Sequence, residues 1–83
     1  MSRDNIVKVR PAGLESIRVT FHCKNGELMT YEYSGLAAAQ FIAGADPRYL
    51  SGERVEDDGG SMGIMSAVEL AETLAEVGAM VGL

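Results

Sequence analysis

The chain has 83 residues, 47% of them hydrophobic but with no Trp, two Phe and three Tyr, which makes one domain over 1–83 with a thin core. Its formal charge is −5, and the acids dominate after residue 24: Arg3, Lys8, Arg10, Arg18 and Lys24 outweigh Asp4 and Glu15 before that point, while only Arg48 and Arg54 stand against ten acids beyond it. Such a surface repels phosphate backbones, so nucleic acid is not expected as a partner, and basic protein surfaces are the expected ones.

In chain order, Ile6 to Arg10 is a short β-prone run that Pro11-Ala12-Gly13 is expected to stop. Ile17 to Lys24 alternates, with Ile17, Val19, Phe21 and Cys23 on one face and Arg18, Thr20, His22 and Lys24 on the other. Asn25-Gly26 then marks a hairpin into Glu27 to Tyr33. A two-residue turn would put Glu32 on the apolar side. A loop of Lys24, Asn25 and left-handed Gly26 instead pairs Ile17 with Tyr33, Val19 with Tyr31 and Phe21 with Met29 inside, and Arg18 with Glu32 and Thr20 with Thr30 outside. That register is the predicted one.

Ser34 is the predicted cap of a helix over Leu36 to Ala43, stopped by Gly44. Asp46-Pro47 opens a short turn through Arg48, Tyr49 and Leu50, and Glu53 to Gly63 reads as an acidic connector. Ser66 and Glu69 have capping-box spacing before a helix from Ala67 to about Val81. Its acids, Glu69, Glu72 and Glu76, form one narrow stripe, and Ala67, Leu70, Ala71, Leu74, Val77, Gly78 and Val81 form the face predicted to be core. The fold class that follows is α+β: an antiparallel hairpin, extended to three strands if the N-terminal run joins it, packed against two helices.

Residues 17–50, IRVTFHCKNGELMTYEYSGLAAAQFIAGADPRYL, resemble the small KTSC-type domains, in which a strand, turn and strand with a Tyr-x-Tyr end lead into a helix and an Arg-Tyr turn. The resemblance covers about two-fifths of the chain and implies a hairpin-plus-helix fold. It brings no site, because the Lys, Thr, Ser and Cys that name the family do not recur at matching positions. In size and acidity alone the chain is also similar to small phage-encoded inhibitors such as anti-CRISPR proteins.

Asp57-Asp58-Gly59-Gly60-Ser61-Met62-Gly63 is the stretch with the most chemistry in it. Gly59-x-Ser61-x-Gly63 spells a nucleophile elbow, yet a polar run precedes it where an apolar strand is required. Asp58, Gly63 and Glu69 fall at calcium-loop positions, but Gly60 and Met62 bring no side-chain oxygen to the third and fifth. A phosphate loop would lack its lysine and be repelled by Asp57 and Asp58. The stretch is therefore expected to be a linker, with no catalytic residue, cofactor or metal. His22 and Cys23, as strand neighbours, point to opposite faces and make no pair. Tyr31 and Tyr33 are expected in the core, while Tyr49 is open to either core or contact.

The function that follows is non-enzymatic protein binding, most concretely as a small acidic inhibitor or adaptor that occupies a basic surface of a larger complex. Its predicted contact residues are Glu53, Glu56, Asp57, Asp58, Glu69, Glu72, Glu76 and Tyr49. The alternatives are a homodimer built on the helix flanks Val68, Ala75, Ala79 and Met80, or a small-ligand site between protomers. No run approaches the ~20 apolar residues of a membrane span. The lone Cys23 and an N-terminal MSRDN without a signal-like apolar run point to the cytoplasm.

Overall fold

A computed structural model describes residues 2–57, 59 and 63–82, and at its centre is the hairpin that alternation predicts. Strands β1 (Ile6–Gly13), β2 (Ser16–His22), β3 (Leu28–Ser34) and β4 (Glu53–Val55) form one antiparallel sheet in that spatial order. Between β2 and β3 every predicted pair is present: Ile17 faces Tyr33, Val19 Tyr31, Phe21 Met29, Arg18 Glu32 and Thr20 Thr30. The loop closes through Cys23 N–H donating to Glu27 O at 2.8 Å, with Gly26 left-handed at φ 84°. Only glycine takes that angle cheaply, so Gly26 fixes the register.

Two features of the sheet depart from expectation. β1 runs on through Pro11 to Gly13: it is an edge strand, and its pairing with β2 shifts register between Pro11 and Gly13, the two settings in which a strand tolerates proline. Glu53–Val55, expected as connector, is a fourth strand on β3, pairing Glu53 with Glu32, Arg54 with Tyr31 and Val55 with Thr30. A three-residue strand, Glu53-Arg54-Val55, is too short to show a periodicity. Its place is set by Gly52, whose bare Cα lies against the ring of Tyr33.

One sheet face carries both helices, α1 (Leu36–Ile42) and α2 (Ala67–Met80), with α1 on β3 and α2 on β1. Ile6, Val9, Ile17, Val19, Phe21 and Tyr33 from the sheet meet Ala38 and Phe41 of α1 and Leu70, Leu74, Val77 and Val81 at and beyond α2. Ser34 does not cap α1. It ends β3, its Oγ lies 2.9 Å from Ser16 Oγ, and Gly35 takes the cap position at φ 56°. Asp46 caps the turn Pro47–Tyr49 as predicted, and Ser66 and Glu69 form the predicted capping box. Cys23, which alternation groups with the buried Ile17, Val19 and Phe21, is only half-buried, at the hairpin end.

The opposite face is ordered by charge. Arg10, Arg18, Glu32 and Glu53 face one another in a single row across the four strands, and Arg18 Nε donates to Glu32 Oε1 at 2.9 Å. In the next row stand Lys8, Thr20, Thr30 and Val55, and the two threonines are 1% and 2% exposed. Asp57 covers them. Thr30 Oγ1 donates to Asp57 Oδ1 at 3.3 Å, so the 2.8 Å contact between the threonines has Thr20 as donor, and Lys8 Nζ completes the set 3.3 Å from the same carboxylate oxygen. Lys8 Nζ also donates to Gly59 O, and Met65 N–H to Ile6 O at 2.8 Å. The chain thus leaves β4 at one edge of the sheet and reaches β1 at the other before α2 begins.

Candidate partner-binding site

The helices α1 and α2 approach closely where Gly78 admits Ile42: a β-carbon at 78 would sit 3.5 Å from Ile42 Cγ2. Toward the start of α2 they part. The space between them is a groove of about 700 Å3. Leu70, Leu74 and Ile42 line its depth, Ala67, Ala71 and Ala75 its α2 wall, Ala43 and Gly44 its α1 wall, and Met65, Arg3 and Asp4 the remainder. From Ala67 to Ala75 that wall is about 12 Å long.

Ala67 and Ala71, predicted core, are exposed wall residues instead. Leu70, Leu74, Val77, Gly78 and Val81 are buried as expected. Alanine marks a helix face poorly, since its small side chain serves core and surface alike. Proceeding around α2 away from α1, the wall alanines give way to Val68 and Ala79, and these to Glu72 and Glu76, all exposed. An apolar groove therefore has an acidic outer bank.

Arg3 was no candidate from sequence, though a helix C-terminus wants a cation. Its Nη1 donates to Phe41 O at 3.0 Å and Ala45 O at 3.1 Å, and its guanidinium lies 4.7 Å from the Phe41 ring centroid. Burial lowers its pKa and Asp46 opposes that shift. This cation is held at the end of α1, where Arg3 and Asp4 line the groove together, and the α2 glutamates lie on its other side, beyond the wall alanines.

The acids predicted as one contact surface are not brought together. Glu53 and Glu56 are exposed at the β4 edge, while Glu69, Glu72 and Glu76 ride on α2, which packs on β1, three strand spacings or about 14 Å across the sheet. The Asp57 carboxylate is taken up by Lys8 and Thr30. Asp58 and Ser61, like Gly60 and Met62, lie outside the described residues. Glu69 accepts from Ser66 N–H at 3.1 Å, so its carboxylate serves the helix start. Tyr49 is exposed on the turn after α1, with the Arg48 guanidinium 5.9 Å from its ring centroid. Arg48 also grips Asp46, whose pKa falls to about 2 chiefly through that hydrogen bond.

The flank residues divide. Ala75 lines the groove, Val68 and Ala79 lie beyond its wall toward solvent, and Met80 lies beyond the glutamates on the other side. No single apolar contact holds all four. Among the described residues no three His, Cys, Asp or Glu side chains gather as a metal site, and no helix is long and apolar enough to cross a membrane. No protein-family model, no curated protein and no solved structure matches the chain.

Proposed function

We propose that this protein is a non-enzymatic protein-binding module, an acidic inhibitor or adaptor in kind, whose α1/α2 groove takes the apolar face of a basic amphipathic helix from a larger partner. The observation that carries this reading is the pairing of an apolar groove with the acidic bank of Glu72 and Glu76. Alanine and glycine walls let a third helix come close, and leucine or similar side chains of the guest fill the space above Leu70 and Leu74. Lysines or arginines along the guest's edge then meet the glutamates, which speeds encounter and fixes orientation more than it adds affinity. A second copy is a poorer occupant, because packing this flank of α2 on itself sets Glu72 and Glu76 of both copies side by side.

The test is a residue-resolved NMR titration with a synthetic leucine–lysine amphipathic helix. The amides of Ile42, Leu70, Ala71 and Ala75 shift together, and Ala71→Phe, which fills the groove from an exposed position, abolishes the effect. Shifts confined to the β4 edge would transfer the role to Glu53 and Glu56; a concentration-dependent dimer that Ala71→Phe dissolves would replace the partner by a second copy.

A further inference from the structure

A second surface lies at the other end of the helices. The β1–β2 turn, the start of α1 and the end of α2 are tied together by the backbone of Glu15: its N–H donates to Val81 O at 3.3 Å, and its carbonyl accepts from Gly35 N–H at 2.8 Å. Leu14, Leu36 and Met80 are each one residue from this knot, so their Cα atoms lie within about 10 Å of that of Glu15. They are 92%, 74% and 70% exposed, half of the large apolar side chains found exposed on the described protein. Side chains of that size scattered singly need no explanation, but here three are gathered at one pole of a small domain.

The turn itself does not call for these residues. Gly13 pairs with Ser16, leaving Leu14 and Glu15 as the two-residue loop, and Glu15 sits at φ 60°, the only non-glycine residue among those described with positive φ. Glycine or asparagine holds that angle with less strain. Leu14 points into solvent where a polar residue would serve the turn equally.

The charge around the patch selects its occupant. Glu15 is exposed beside Leu14, Glu76 lies one turn before Met80, and the last turn of α2 has no basic residue to offset the negative end of the helix dipole. The nearest arginines along the strands, Arg10 and Arg18, stand a row further in on the opposite sheet face. Two copies meeting pole to pole would oppose like charges, whereas an apolar side chain flanked by lysine or arginine satisfies both features. We infer that the Leu14–Leu36–Met80 pole is a second docking surface, for a basic and apolar segment of a protein partner. It shares with the groove only the class of partner and stands on different residues.

The probe is an extended peptide of alternating leucine and lysine, titrated against the labelled protein and followed by NMR. The amides of Leu14, Glu15, Leu36, Met80 and Val81 shift and saturate together. The double variant Leu14→Ser, Leu36→Ser weakens this binding about tenfold or more with its melting temperature unchanged, since both side chains are exposed. The groove-blocked Ala71→Phe protein binds the extended peptide as the parent does. Binding that the double variant leaves intact, or shifts confined to the groove, overturns the pole and leaves the groove reading standing; self-association of the parent that the double variant abolishes overturns it in favour of a second copy.

Discussion

Gly52 stands against the face of Tyr33 so closely that a β-carbon there would lie 2.6 Å from Tyr33 Cε1. The ring cannot retreat, because it stacks on Phe41 at a centroid distance of 5.6 Å and lies beside Tyr31 at 6.5 Å. This contact seats β4 and the chain that follows it.

Gly52→Ala is therefore expected to cost about 1–3 kcal/mol, the usual range for overpacking a filled core. Gly52 does not have a positive φ, so the loss measures space alone. Denaturant midpoints of the two proteins, compared at equal slope, give the value.

Tyr33 carries a second liability. Its hydroxyl is buried with no hydrogen-bond partner among the described residues, and burial, aided by Tyr31, pushes its pKa from 10.0 up to about 12. The folded protein thus holds this proton more tightly than the unfolded chain does. The stability linked to it is complete below pH 10 and is lost as pH rises toward 12. Tyr33→Phe should be neutral or stabilising by about 1 kcal/mol at pH 7, and should remove this part of the alkaline loss. A large loss on Tyr33→Phe at neutral pH would mean that the hydroxyl has a partner after all.

Lys8 and Asp57 secure the segment that follows β4. With side chains 18% and 22% exposed and Thr30 sharing the carboxylate, loss of the Asp57 charge weakens two bonds at once, although Lys8 keeps its bond to Gly59 O and Thr30 its contact with Thr20. Asp57→Asn should cost about 1–3 kcal/mol, and a double-mutant cycle with Lys8→Met should show coupling between the two sites. Additive losses would show that the ion pair contributes nothing of its own.

Leu74→Ala removes a side chain that is 6% exposed at the floor of the groove and should cost about 2–5 kcal/mol, enough to unfold so small a domain. Met80→Glu should leave the melting temperature nearly unchanged. Circular dichroism on the two variants compares them, and the opposite ranking would mean that α2 is rotated about its axis.

These expectations trace which parts of the structure the sequence makes legible. The β2–β3 register is readable because alternation and Asn25-Gly26 constrain it independently, and the α2 start because Ser66 and Glu69 satisfy each other locally. β4 is not, since its position depends on a tertiary contact between Gly52 and Tyr33. The groove is half legible: Leu70 and Leu74 declare the inner face, but Ala67 and Ala71 do not say whether a neighbour covers them. The pole is invisible along the chain, because Leu14, Leu36 and Met80 are brought to one place only by the hydrogen bonds of Glu15. Asp57 and Glu72 look alike in sequence and part in the fold, one carboxylate half-buried against the sheet with Lys8 and Thr30 and the other facing solvent.

The central claim, an apolar groove steered by an acidic bank, is tested most directly by the affinity of the leucine–lysine helix for the parent and for the double variant Glu72→Lys, Glu76→Lys across a series of salt concentrations. Binding to the parent should weaken steadily with salt, and the reversed protein should bind about tenfold more weakly at low salt with little further salt dependence. Equal affinities for the two proteins, unmoved by salt, would contradict the account.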